Sequence, residues 1–327
     1  MPQLHINIHA LRHNLAVVHE RCLHAGSECM FVFKEASLHP QLTADIMKGS
    51  PVHRLGLVAW PNNSFPSIPG TEIHHVYAPS SMQAAQAATC TCAYIDSRFT
   101  LQSLFQKCRK KEPQIRLCLE IGDGRDGALP EELPTLCKLS YQLGFSIRGI
   151  AINFACLSKY APTNEHLYAA VTVLNNMKPY CRYESDISAG GTDILELAEH
   201  SLLPCDIGEI RCGTGVMLGV YPLSGRVISD ARQDTFRLEA QILECRKKQG
   251  RMMALFDMGT FHTDPEHLIA PFPGMVFAGA SSGYTSFDVT DCSERLHEGM
   301  TLSFRTDYHS LSRALFSPAL PLVMENA

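Results

Sequence analysis

The sequence predicts a (β/α)8 barrel of the TIM type followed by a small C-terminal all-β domain. About eight short apolar runs, each followed by a helical pattern, fill the chain up to residue 225. Beyond that point the rhythm changes to period-two runs punctuated by proline and glycine. Polar residues also fall repeatedly at the ends of the apolar runs, where such barrels carry their active sites. A length of 327 residues exceeds the roughly 100–150 of a usual single domain.

The opening run, Leu4–Ile8, leads into a helical pattern over 10–18. Cys29-Met30-Phe31-Val32-Phe33-Lys34 reads as a buried strand, followed by Pro40 and a helix through Leu42, Ile46 and Met47. Later strands are read at Arg54–Val58, His75–Tyr77, Cys92–Ile95, Ile115–Ile121, Ser146–Ile152, Tyr183–Ile187 and Asp206–Arg211. Between them lie helices from Ser80 and over Leu101–Cys108, Leu133–Leu143, Glu165–Asn176 and Ile194–His200. Lys34, Asn153, Ser188 and Arg211 all fall at strand ends. The barrel is assigned to residues 1–225 and the β-domain to 226–327. In the latter, Thr235–Leu243, Met252–Asp257, Met275–Gly279 and Met300–Phe304 read as strands, with no long amphipathic helix between them.

The net charge of -5, with both signs interspersed, provides no basic stripe for nucleic acid. Arg109-Lys110-Lys111 reads as a solvated helix end. No apolar run approaches the roughly 20 residues of a membrane span, and the N-terminus lacks a signal-peptide pattern, so a cytoplasmic location is expected. The 13 cysteines are odd in number and scattered through apolar stretches, as at Cys118, Cys156 and Cys212. They read mainly as small buried hydrophobes rather than a disulfide scaffold or zinc site. No metal is expected, and His262-Thr263-Asp264 reads as a solvated turn.

A lysine at the end of an apolar strand can be desolvated, favouring the neutral amine that attacks an aldehyde. Lys34 has that position, although a strand-end lysine can equally reach solvent. Ser188-Ala189-Gly190-Gly191-Thr192 and Arg211-Cys212-Gly213-Thr214-Gly215 each follow a strand and precede a helix. Their small residues and helix N-termini suit an anion such as phosphate. Arg211 is either a permanently charged donor to a cofactor ring nitrogen or a structural partner of Glu209, Asp206 or another acid.

These segments resemble the alanine-racemase-like, fold-type III pyridoxal-phosphate proteins, most nearly the ornithine racemases and similar amino-acid racemases. The resemblance runs through Asn7–Leu15, Phe31–Lys34, Leu119–Gly127, Ile152–Cys156, Ile187–Gly191, Glu209–Gly219, Gly279–Tyr284 and Asp288-Val289. It implies pyridoxal 5'-phosphate as cofactor, with Lys34 as its Schiff-base lysine and as an acid/base on one face. It also implies that Arg211 faces the pyridine nitrogen and that Asn153, Ser188, Gly190, Gly213 and Thr214 help bind the cofactor. A head-to-tail homodimer is implied, with the partner's β-domain bringing the Ser281–Tyr284 loop over the opposite face.

Two departures stand out. Alanine racemases carry a tyrosine four residues after the lysine, where this chain has Leu38; the ornithine-racemase branch lacks it too. Where related enzymes put an aspartate in the partner loop, this chain has Gly283, which leaves basic, neutral and anionic substrates all open. Glu35, Asp123 and Asp126 are acids that could restore an acidic contact. Racemisation needs a second proton-transfer group opposite Lys34, and Tyr284 leads Cys156 and Ser282 as the candidate. The leading expectation is an amino-acid racemase working through a Cα carbanion. A fold-type III decarboxylase or aldolase and a non-catalytic cofactor-binding protein are the alternatives.

Overall fold

The computed structural model describes residues 1–58, 68–108, 112–181 and 185–325. It divides into two units, Arg12–Ala231 and Met1–Leu11 with Arg232–Ala327. Strand β1 (Gln3–Asn7) is followed by β2 (Glu28–Val32), β3 (Arg54–Leu57), β4 (Glu72–His75), β5 (Cys92–Ile95), β6 (Gln114–Leu119), β7 (Ile147–Asn153), β8 (Asp186–Gly190) and β9 (Glu209–Cys212). β2 to β9 form a closed parallel barrel in sequence order, with β2 pairing β9.

The barrel strands are short and mostly buried, because parallel strands covered on both faces have little reason to alternate polar with apolar residues. β5 is buried throughout, and β7 at five of its seven positions. Met30, Val76, Cys92, Tyr94, Cys118 and Ala151 pack into one cluster drawn from β2, β5, β6, β7 and the residue after β4. Outer helices start where their caps dictate. Ser97 and Thr100 form a reciprocal capping box before Arg98–Phe105, and the Thr163 hydroxyl accepts from His166 N–H at the start of Asn164–Met177. The helix expected from Ser80 is reduced to Ala84–Ala87. The strand expected at His75–Tyr77 lies earlier, at Glu72–His75. That expected from Tyr183 begins at Asp186, while residues 182–184 and the basic run Arg109-Lys110-Lys111 lie outside the described residues.

The second unit is an antiparallel sheet built from β10 (Phe236–Lys248), β11 (Arg251–Phe256), β12 (Leu268–Ile269), β13 (Val276–Ala280), β14 (Thr285–Asp288), β15 (Thr301–Thr306) and β16 (Leu322–Glu325). Its main path runs β12-β15-β10-β11-β14-β13. β1 joins the same sheet, antiparallel to β10 and parallel to β16. This differs from a boundary at residue 225 with everything before it in the barrel. The reason is visible in β1 itself: its burial alternates, with Leu4 and Ile6 wholly buried, as suits one face of an antiparallel sheet. Phe256, Phe287 and Phe304 form the aromatic core of this unit. The unit also carries a helix, Tyr308–Phe316, capped by Asp307 and burying Leu311, Ala314 and Leu315. Among the described residues no helix is long and apolar enough to cross a membrane.

Candidate active site

The barrel encloses a polar column that ends in Arg211. Glu209 on β9 is fully buried; one oxygen, Oε2, accepts from Arg54 Nη1 at 3.0 Å, and the other, Oε1, accepts from the Ser188 hydroxyl at 2.5 Å. Burial pushes the Glu209 carboxyl up, but Arg116, His74, Arg54 and the Ser188 bond outweigh it and hold the group well below the usual carboxylate range. Tyr94 on β5 lies 3.0 Å from the Ser188 hydroxyl and donates to Glu209 at 3.3 Å. Burial, reinforced by Glu209, raises the Tyr94 phenol well above its ordinary value, so it stays protonated.

Arg211 sits one pleat above. Its Nη1 donates to the Ser188 carbonyl and hydroxyl, both at 2.7 Å. Its Nη2 donates to the Ile152 carbonyl at 2.8 Å and to Asn153 Oδ1 at 2.7 Å. A guanidinium has five N–H donors; these bonds engage the four Nη hydrogens and leave Nε–H without a protein acceptor among the described residues. The side chain also lies over the Tyr94 ring, 5.2 Å from its centroid. Arg211 therefore bonds four neutral oxygens and, among the described residues, makes no ion pair with Glu209, Asp206 or another acid.

At the strand ends a second group gathers. Lys34, two residues past β2 and half-buried, has Nζ 5.6 Å from the Tyr77 ring centroid. His75 donates from Nδ1 to the Tyr77 carbonyl at 2.7 Å and fixes that backbone; burial lowers its pKa, keeping the ring neutral. Arg125 lies over the same Tyr77 ring at 5.3 Å, bonds Asp126 at 2.7 Å and reaches Cys156 Sγ at 3.0 Å. Asn153 Nδ2 donates to Asp126 at 3.3 Å and links this group to Arg211. Asp123 accepts from the backbone N–H groups of Cys156 and Leu157 and from the Ser158 hydroxyl, so it pins the loop after β7. Asp123 and Asp126 are thus both engaged within the protein.

Of the residues expected at strand ends, Lys34, Asn153 and Arg211 lie near Cys156, linked through Tyr77, Arg125 and Asp126. Ser188 and Gly190 are set differently from a phosphate loop. Ser188 is wholly buried, its hydroxyl engaged by Glu209 and Arg211, because it points into the barrel below the strand ends. Gly190 pairs in register with Arg211, and its missing side chain leaves room for the guanidinium. The residues next in chain, Gly191 and Thr192 after β8 and Gly213 and Thr214 after β9, form adjacent loops; the Thr192 hydroxyl accepts from Gly215 N–H at 3.1 Å. Thr214 opens the short helix Thr214–Leu218, in which Val216 and Met217 N–H donate to the Gly213 carbonyl. Cys156 is exposed rather than a core thiol, yet partial desolvation raises its pKa despite Arg125.

Ser282 and Tyr284 lie in the other unit, both exposed, on a cavity of about 480 Å3 lined also by Met1, Asp257, Phe261 and His262. Their loop is fastened by Thr260 and Phe261 N–H groups to the Ser281 and Ser282 carbonyls, both at 2.9 Å. His262 accepts from Gly259 N–H, and the Thr263 hydroxyl donates to the Ser310 carbonyl, so His262-Thr263-Asp264 is a structural turn. Among the described residues no group of three or more His, Cys, Asp or Glu is arranged to hold a metal ion.

Sequence reasoning missed Tyr77, Tyr94 and Arg125 as site residues and saw Glu209 only as an ion-pair partner. Arg125 was visible in the loop 122–127, but nothing in its spacing showed that it returns to β7. An uncommitted Nε–H on a fixed guanidinium, a half-buried lysine and adjacent glycine-threonine loops fit pyridoxal phosphate, an aldehyde with a basic ring nitrogen and a dianionic tail.

No family model matches the sequence. The lysine racemase of Thermotoga maritima is 26% identical over 239 residues, covering 66% of this chain and 67% of that protein. The ornithine racemase of Acetoanaerobium sticklandii is 24% identical over 239 residues, covering 64% and 67%. The alanine racemase of Corynebacterium glutamicum superposes with a TM-score of 0.74 at 12% identity, over 99% of both chains. That of Bartonella henselae, with covalently bound pyridoxal phosphate, gives 0.70 at 16% identity, again over 99% of both. The D-threo-3-hydroxyaspartate dehydratase of Delftia sp. HT23 gives 0.72 at 15% identity, over 99% of this chain and 94% of the other. A closed parallel barrel with a separate antiparallel sheet is the fold-type III, alanine-racemase-like architecture. Within that class the chain is similar in sequence to lysine and ornithine racemases.

Proposed function

We propose that the protein is a pyridoxal-phosphate-dependent amino-acid racemase. The observation that carries this reading is Arg211: a buried, permanently charged guanidinium with four hydrogens fixed on neutral oxygens and Nε–H left over. Lys34 would hold the cofactor covalently, Arg211 would donate to its ring nitrogen, and Gly191, Thr192, Gly213 and Thr214 would hold its phosphate. Pyridoxal phosphate, when bound, supplies an aldehyde for amines and a conjugated ring that delocalises negative charge from a substrate Cα.

Arg211, always protonated, would donate to the ring nitrogen and could not accept a proton from it, an arrangement that suits prompt return of a proton to the substrate Cα. Arg125, a fixed cation at the strand ends beside Lys34 and Tyr77, suits the substrate carboxylate. Lys34 takes or returns the proton on one face. Tyr284, from the β-domain of a second copy in a head-to-tail homodimer, is the leading group for the other face. The raised Cys156 thiol is poorly suited to act as a base. A cytoplasmic location accompanies this reading.

The test is α-hydrogen exchange in deuterated water with cofactor-loaded protein, a panel of L- and D-amino acids, and chiral separation of the same samples. Exchange with inversion, lost in Lys34→Ala, is expected. Amine formation would instead identify a decarboxylase. Neither exchange nor inversion across the panel would sink the racemase.

A further inference from the structure

We propose that Glu209 is a positioning residue for Arg211 and acts through the Ser188 hydroxyl. This rests on the cofactor reading above for its purpose, but its geometry belongs to the protein alone. Glu209 and Arg211 are both on β9, two residues apart, so both side chains point into the barrel. They do not touch as an ion pair. Instead the Ser188 hydroxyl stands between them, giving its hydrogen to Glu209 Oε1 at 2.5 Å and accepting from Arg211 Nη1 at 2.7 Å.

A hydroxyl has one hydrogen. With that hydrogen drawn to a carboxylate, the oxygen lone pairs are turned toward Arg211 and Nη1 has a fixed acceptor. Tyr94 supports the same arrangement, its hydroxyl lying against both Ser188 and Glu209.

A simpler role for Glu209 is to balance the half-buried Arg54 and the buried Arg116. Arg54 is bonded at 3.0 Å. Arg116 is the informative neighbour. Its Nε and Nη2 are buried with no hydrogen-bond acceptor, and Nε lies 3.8 Å from Glu209 Oε1. A carboxylate placed only for neutralisation would close that gap, since an unmatched buried donor is costly. Oε1 instead makes its short bond to Ser188, on the side that leads to Arg211.

The experiment uses 15N-arginine-labelled protein, with Arg211→Lys to assign the Arg211 signals and thermal unfolding to check each variant. Native protein should show separately resolved Nη hydrogens for Arg211. In Ser188→Ala, which leaves the Glu209–Arg54 pair intact, and in Glu209→Gln, the Nη1 pair should average by rotation while the Nη2 pair stays resolved. Pyridoxal phosphate binding, followed by absorbance titration, should weaken on the order of tenfold in each, the effect of losing one charge-assisted hydrogen bond. The double variant should match Ser188→Ala.

A folded Glu209→Gln protein with native Nη1 signals and native cofactor affinity would overturn the proposal, as would additive losses in the double variant. If Glu209→Gln does not fold, unchanged Nη1 signals in Ser188→Ala overturn it. The Arg211 signals are read without cofactor. A native protein that forms no visible absorption band with pyridoxal phosphate would therefore overturn the functional reading and leave the Arg211 result standing.

Discussion

Gly190 and Arg211 face one another across the β8–β9 ladder, and the guanidinium occupies the space a side chain at 190 would need. A Cβ there would stand 2.3 Å from Arg211 Nη2 and 2.6 Å from Asn153 Oδ1. The backbone of Gly190 is not left-handed, so the requirement is for space alone. Gly190→Ala should force Arg211 off its four acceptors and cost about 1–3 kcal/mol of stability, the usual penalty of overpacking. Thermal unfolding and a pyridoxal phosphate titration check this together. Unchanged melting with unchanged affinity would show that Arg211 has room to move aside.

The roles of Cys156 and Tyr284 separate by chemistry. Burial raises the Cys156 thiol even with Arg125 against it, so little thiolate is present near neutral pH. Cys156→Ala should keep racemisation within about threefold of native, whereas Tyr284→Phe should lower kcat by about 100-fold or more, the scale of a lost general acid/base. Solvent deuterium incorporation, begun separately from each enantiomer, checks the assignment. A collapse in Cys156→Ala with Tyr284→Phe intact would reverse it.

The barrel was legible because its strand–helix alternation repeats about eight times, so errors of a few residues at each boundary do not change the count. Lys34 and Arg211 drew notice in the sequence because each closes a strand-like run. β1 was not, since a five-residue strand reads the same whichever sheet it joins; its pairing with β10 and β16 bridges hundreds of residues. Ser188 was placed on the wrong level for a related reason. A glycine-rich loop reveals that a chain turns, but which of its residues points inward depends on a register one residue wide. Arg125 was hidden more deeply: its contacts with Tyr77 and Cys156 join three separate strand–loop connections.

The acid limb of stability should be governed by buried and half-buried carboxylates. His74, Arg148 and lesser charge effects outweigh burial and lower Glu72 from 4.5 to about 2, and Glu209 is also held down. For such groups the unfolded chain takes up protons first, so stability is fully present above the ordinary carboxylate value and is lost as pH falls through the folded one. Melting temperature should therefore decline from about pH 5 toward pH 2, and Glu72→Gln should flatten that decline while lowering stability at pH 7. Calorimetric melts across this range test it. A native slope in Glu72→Gln would move the acid sensitivity to other groups.

Gly283 is a position where a side chain can be added freely. It lies between Ser282 and Tyr284, and a Cβ there meets nothing within 4 Å inside its unit. It needs no left-handed backbone, as its φ lies outside the glycine-favouring range. Gly283→Asp should therefore fold with a melting temperature close to native. Under the homodimer reading, the added carboxylate would face the partner's substrate and favour a distal ammonium. We expect kcat/KM for lysine or ornithine to rise relative to alanine by about tenfold, the worth of one new charge pair in a partly desolvated site. Competition between a basic and a neutral amino acid in one reaction reads the ratio directly. A stable variant with the native ratio would mean that residue 283 does not border the substrate side chain, and substrate choice would then lie with barrel-end residues such as Arg125 and Tyr77.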